Sequence, residues 1–212
     1  MKLQLPKKPS LFLVLFLCSL FLFAQATPDA LQEFRNGNYM RSVEICQNEI
    51  AVNPNNLESR VVISWSLMRL GRYSEAMDHA LAGRRISRYD LRVTLILGEI
   101  SYFLGRNNEA LQFFQEYINL APEGVRVDIA YYYIGEIYIR LGRFRHADIA
   151  LTTAVHWIPG NAAWWTRLAY ARENAGDLQQ AVAAYERALS LNPQLADAQR
   201  GLERVRQALA RS

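Results

Sequence analysis

Histidine, cysteine and carboxylate side chains supply most metal sites and nucleophiles, and in this chain they are few and scattered. The three histidines are His79, His146 and His156, and no two stand four residues apart, the helical spacing that brings two imidazoles onto one face for a metal. Cys46 has no second cysteine beyond Cys18, which lies in an apolar N-terminal run. The sequence holds no glycine-rich phosphate loop, no nucleophile turn of the Gly-x-Ser-x-Gly kind and no His-Glu-x-x-His helix. Catalysis, a metal and a cofactor are therefore not expected, and the chemistry left is recognition by aromatic and charged side chains. Arginines are the densest of these: Arg84, Arg85, Arg88 and Arg92 cluster, a pattern suited either to an acidic partner or lipid phosphate or to a hydrated helix end.

The elements that position such groups begin after residue 26. Lys2, Lys7 and Lys8 precede the apolar run Leu11 to Phe23, and Ala24-Gln25-Ala26 follows, which is the order of a secretory signal with cleavage expected after Ala26. The run is 13 residues long, short of the roughly 17 to 25 that a membrane-spanning helix needs, so an uncleaved anchor is the alternative. Cys18 sits inside the apolar run, where it does not mark a lipidation site. Export places the remainder in the periplasm or another extracytoplasmic space. Removing the three lysines from 24 Lys and Arg leaves 21 cations, all arginine, against 20 Asp and Glu. A nearly neutral body lacks the one-signed field that nucleic-acid binding draws on. Cys46 stands alone after cleavage, so no internal disulfide forms and the thiol is expected to be buried.

Self-alignment reveals the architecture. Gly37, Gly71, Gly105, Gly142 and Gly176 recur at intervals of 34, 34, 37 and 34 residues, the period of stacked helical pairs. Five residues after four of these glycines comes Ala76, Ala110, Ala147 or Ala181, with Ser42 in the first unit, and small residues there let two helices approach closely. Pro54, Pro122, Pro159 and Pro193 stand seventeen residues after a glycine and stop the second helix, and Arg88 alone breaks that series. Trp165, Leu168, Ala169, Gly176, Ala181, Tyr185, Ala188 and Pro193 make the fullest unit. It resembles a tetratricopeptide repeat, as do the units carrying Gly98, Gly105, Ala110, Phe114 and Pro122 and carrying Gly135, Tyr138, Gly142, Ala147 and Pro159.

The resemblance implies an all-α fold, a right-handed superhelical solenoid of stacked helical hairpins, of exported bacterial type. Its units are a degenerate first repeat at 27–56, repeats at 57–90, 91–127, 128–161 and 162–195, and a capping helix at 196–212 with Ala198, Leu202, Val205 and Leu209 on one face. Three irregularities carry expectations of their own. Few residues precede Gly37, which shortens the first unit. Gly83 and the arginines after it are expected to end the second repeat's second helix early. The three additional residues around Glu123 to Val127 extend a turn or lengthen the next helix.

In this family the first helix of each unit lines the concave surface. Carried over repeat by repeat, the resemblance implies a groove of Val61, Trp65 and Arg69, then Leu95, Glu99 and Tyr102, then Tyr132, Glu136 and Arg140, then Thr166, Tyr170 and Glu173. Glu99, Glu136 and Glu173 read as an acidic line flanked by aromatics, with Arg69 and Arg140 placed to neutralise a neighbouring glutamate. The Lys and Asn pairs with which some members clamp a partner's terminal carboxylate are absent, since the comparable places hold Val61, Trp65, Ile96, Ile129 and Tyr133. The function implied is a non-catalytic scaffold for a protein or extended peptide. The alternatives are a small-molecule-binding accessory subunit of an envelope transporter and a structural homo-oligomer in an envelope complex.

Overall fold

The computed structural model describes residues 29–211. The export segment at 1–26 lies outside them. The described residues form eleven α-helices and no strand: α1 Ala30–Arg35, α2 Tyr39–Val52, α3 Leu57–Arg69, α4 Tyr73–Ile86, α5 Leu91–Phe103, α6 Asn107–Leu120, α7 Val127–Arg140, α8 Phe144–Trp157, α9 Ala162–Ala175, α10 Leu178–Leu191 and α11 Ala196–Leu209.

Local chemistry fixes where these helices begin and end. Asp29, Asn56, Asp90 and Asn161 precede odd-numbered helices, and each side chain accepts a hydrogen bond from a backbone N–H of the first turn. Each odd helix from α1 to α9 closes on a glycine in the left-handed region, from φ +68° at Gly142 to +87° at Gly176. A side chain would strain the backbone there, whereas glycine adopts it freely. The residue after each glycine then donates its N–H to the carbonyl five places back, as from Arg72 to Leu67 and from Arg143 to Tyr138. That bond satisfies a carbonyl the helix leaves open and folds the chain into a hairpin.

Each helix packs on its neighbours in sequence, and each odd helix also meets the next odd helix, whereas no two even helices approach as closely among the described residues. The odd helices are thus the more tightly spaced row of an all-α solenoid and line its inner face. Hairpins close on small residues. Ala76, Ala110, Ala147 and Ala181 are wholly buried. A Cβ added at Gly98 would lie 2.7 Å from the Phe114 ring, and one at Gly135 would lie 2.5 Å from Leu151. Ser42 fits the alanine place in the first unit by donating to the Ala30 carbonyl and accepting from Ser66, which satisfies its buried hydroxyl. Apolar side chains then merge along the stack into successive clusters around Val61 and Leu97, around Phe114 and Ile137, and around Leu168 and Tyr185. The last is covered by Ala198, Leu202 and Val205 of α11.

Two expectations are corrected or refined. α4 does not end early: it runs through Gly83 to Ile86, the same 14 residues as α6, α8 and α10. Gly83 is buried at a helix contact, where an added Cβ would come within 3.3 Å of Val93 and 3.6 Å of Leu57, so the missing side chain serves packing and the helix continues. The additional residues before α7 lie in the connection from Ala121 to Arg126, whose backbone is held by Gly124 N–H donating to Ala121 and Arg126 N–H donating to the Tyr117 hydroxyl. α7 keeps the 14 residues of α9.

Candidate functional site

The inner face of the N-terminal half carries a pocket of about 520 Å³. Phe34 of α1 and Trp65, Met68 and Arg69 of α3 form one side, Leu91, Arg92, Leu95, Ile96 and Glu99 of α5 the other, and Tyr117, Val125 and Arg126 close the end toward α7. Helix periodicity explains the membership. Positions 91, 92, 95, 96 and 99 repeat at three and four residues and share one face of α5, as 65, 68 and 69 do on α3. Phe34 and Trp65 rings stand 5.9 Å apart, so the aromatic wall is a packed surface.

Glu99 is the one carboxylate of this lining, which is otherwise apolar apart from Arg69, Arg92 and Arg126. Its side chain is 15% exposed, and its nearest cation is Arg126, with Nη2 3.9 Å from Oε1, beyond hydrogen-bond distance. Burial pushes its pKa up to about 7, and Arg126 opposes the rise without cancelling it.

The other expected groove residues fall into separate groups. Tyr102 lies between the Tyr133 ring, 4.8 Å away, and the Arg140 guanidinium, 4.2 Å above its centroid. Arg140 also donates to the Tyr102 carbonyl and to Asn107 Oδ1, and Arg69 lies over the Tyr39 ring at 5.3 Å. The expectation that Arg69 and Arg140 neutralise neighbouring glutamates is therefore replaced: both settle on aromatic faces. Tyr132 stacks on Trp164 at 4.9 Å and 11°, and burial, with the nearby Glu136 charge, pushes its hydroxyl up to about 12.

Glu136 accepts two hydrogen bonds from Arg167, at 2.6 and 2.9 Å, and the same guanidinium lies 5.3 Å from the Tyr170 ring centroid. Glu173 accepts from Arg204 of α11 and from the Tyr185 hydroxyl. Burial raises the Glu173 pKa, and those hydrogen bonds overcome it and leave it below the ordinary carboxylate value. The acidic line thus divides. Glu136 and Glu173 are spent on the neighbouring helix, and Glu99 alone of the three faces an open pocket.

Sequence reasoning missed Arg167 and Arg126. The signal for Arg167 was available, because Arg167 and Arg204 each follow their glutamate by 31 residues. The arginine cluster is likewise half committed: Arg84 donates through Nη2 to both Glu116 oxygens, and Arg92 pairs with Glu58 and Asp90. Among the described residues no group of three His, Cys, Asp or Glu side chains is placed to hold a metal.

Models of the tetratricopeptide repeat match residues 92–123, 129–161 and 162–195. No curated protein matches the sequence. Several solved structures share the fold. A crystal structure of MamA protein superposes with a TM-score of 0.67 at 20% identity, covering 79% of this chain and 90% of that one. MamA from Desulfovibrio magneticus RS-1 gives 0.70 at 16% identity over 81% and 99% of the two chains. YrrB, described as a TPR protein with an unusual peptide-binding site, gives 0.68 at 14% identity over 82% and 88%. At these identities the likeness establishes architecture alone. The chain is an all-α helical-repeat solenoid in which residues 92–123, 129–161 and 162–195 match the tetratricopeptide repeat.

Proposed function

We propose that this protein is a non-catalytic, extracytoplasmic scaffold that binds a protein partner or an extended peptide along its inner face. The observation that carries the reading is the pocket between α3 and α5, where an apolar wall surrounds a carboxyl group with no hydrogen-bonded cation. Concave apolar surfaces with a few polar groups are where ligands bind. The likeness of fold to YrrB, whose description names a peptide-binding site, supports a peptide as the partner.

The test is capture of partners in cells by a photo-reactive residue at Leu91, on the pocket rim, compared with one at Ile149 on the outer row. Truncating a true interface anchor costs at least about 2 kcal/mol, roughly a thirtyfold loss of affinity. Trp65→Ala with Met68→Ala is expected to abolish capture at Leu91 while the variant remains helical by circular dichroism. Capture that persists in the folded variant, or that occurs only from Ile149, removes the inner face as the binding site.

Export is supported by the order of charged, apolar and small residues ahead of Thr27. Cys46 suits an oxidising compartment, because it is wholly buried and burial pushes its thiol up to about 12, keeping it protonated and unreactive. N-terminal sequencing of the protein from its native host is expected to begin at Thr27; a chain that still begins at Met1 in the membrane fraction refutes cleavage.

A further inference from the structure

Two inner-face glutamates show how this solenoid satisfies a carboxylate on its tightly packed row. Arg167 forks onto Glu136 through Nε and Nη2, and Arg204 forks onto Glu173 through the same two atoms. Each arginine comes from the next odd helix, 31 residues on. A bidentate guanidinium is the strongest neutral-pH partner a carboxylate finds in a protein.

Glu99 lacks this partner for a structural reason. The residue 31 positions on is Ala130, wholly buried in the central cluster, and three additional residues between the third and fourth turn glycines shift the register there. Counting back from the turn glycine gives no arginine either. Arg167 stands nine residues before Gly176, and nine residues before Gly142 stands Tyr133. The Tyr133 ring is fixed by stacking on Phe114 at 5.4 Å and 6°. The remaining cations of the pocket are engaged elsewhere or too far away. Arg92 is held by Glu58 and Asp90, and Arg69 lies over Tyr39. Arg126 is 54% exposed and 3.9 Å distant.

We propose that a partner supplies the missing guanidinium: the pocket takes an arginine side chain from an extended peptide, its methylenes against Trp65, Met68 and Leu95 and its guanidinium forked onto Glu99. The apolar lining matches the alkyl stem, which long cationic side chains lay along greasy surface while the charge seeks a partner. Arg126 has no hydrogen bond to Glu99 to surrender and is already half in water, so it yields the site to the incoming group.

This inference rests on the inner face being the peptide-binding surface, and the experiment separates the two. Fluorescent peptide pools, degenerate except for a central arginine, citrulline or leucine, are titrated at pH 8 against the purified chain and its Glu99→Gln and Arg126→Gln variants. Citrulline keeps the shape of arginine and removes its charge. The arginine pool is expected to bind wild type roughly tenfold more tightly than the citrulline pool, the weight of one charge-assisted pair. Glu99→Gln is expected to erase that preference while the leucine pool binds as before, and Arg126→Gln to enlarge it. Equal binding of the arginine and citrulline pools, or a preference that survives Glu99→Gln, overturns the arginine assignment and leaves the peptide surface standing. Failure of every pool to bind wild type overturns both.

Discussion

Enlarging Ala110 or Ala181 to leucine lowers stability by about 1 to 3 kcal/mol at each position. Both alanines are wholly buried. Ala110 lies in the cluster of Phe114 and Ile134, and Ala181 in that of Leu168 and Tyr185. Three added carbons must displace a neighbouring helix, because close-packed interiors hold no spare volume. For a chain of this size the loss appears as a fall of roughly 2 to 12 °C in apparent melting temperature. Ala163→Leu is the control, since Ala163 is exposed at the start of α9 and accepts a larger side chain without displacement. Circular dichroism at increasing temperature measures all three. Unchanged melting of both buried-site variants refutes the helix register in which these alanines close the hairpins.

Glu99→Gln has the opposite sign, stabilising the protein at neutral and alkaline pH by on the order of 2 kcal/mol. The folded carboxyl has a pKa of about 7, against an ordinary value of 4.5. Below pH 4.5 it is protonated whether the chain is folded or not, so glutamine and glutamic acid are equivalent there. Between 4.5 and 7 the unfolded chain ionises and the folded chain does not. The wild type therefore loses stability as pH rises through this window, and above pH 7 the penalty stays constant. Glutamine cannot ionise and escapes it. Urea denaturation at pH 4.5 and pH 8 checks the prediction: the variant matches wild type at the first and exceeds it at the second. A variant no more stable than wild type at pH 8 shows that Arg126 compensates the charge after all.

Glu136→Gln supplies the contrast within the same experiment. Its side chain is 11% exposed and forked by Arg167, so neutralising it strands a partly buried guanidinium and destabilises the fold. A residue that lowers stability where its counterpart raises it is the mark of a position kept for binding.

The architecture was legible because its signals are local. A glycine at the end of each odd helix, a small residue five places later and a proline at the end of most second helices act within a few residues of backbone. Their recurrence alone defined the hairpins and their stacking. The same locality misled at Gly83, where helix propensity predicted an early end to α4. Contact with Leu57 and Val93, distant in sequence, decided for a full helix. The groove was only half legible. The family resemblance placed Trp65, Arg69 and Glu99 on inner helices, and they share one pocket. Which glutamate stays free could not be read from residue type or helical face. It depends on whether the next odd helix brings an arginine to the right height, as α9 does for Glu136 and α11 for Glu173. On α7 that place is held by Tyr133, stacked on Phe114, so packing between helices leaves Glu99 partly buried with its nearest cation 3.9 Å away.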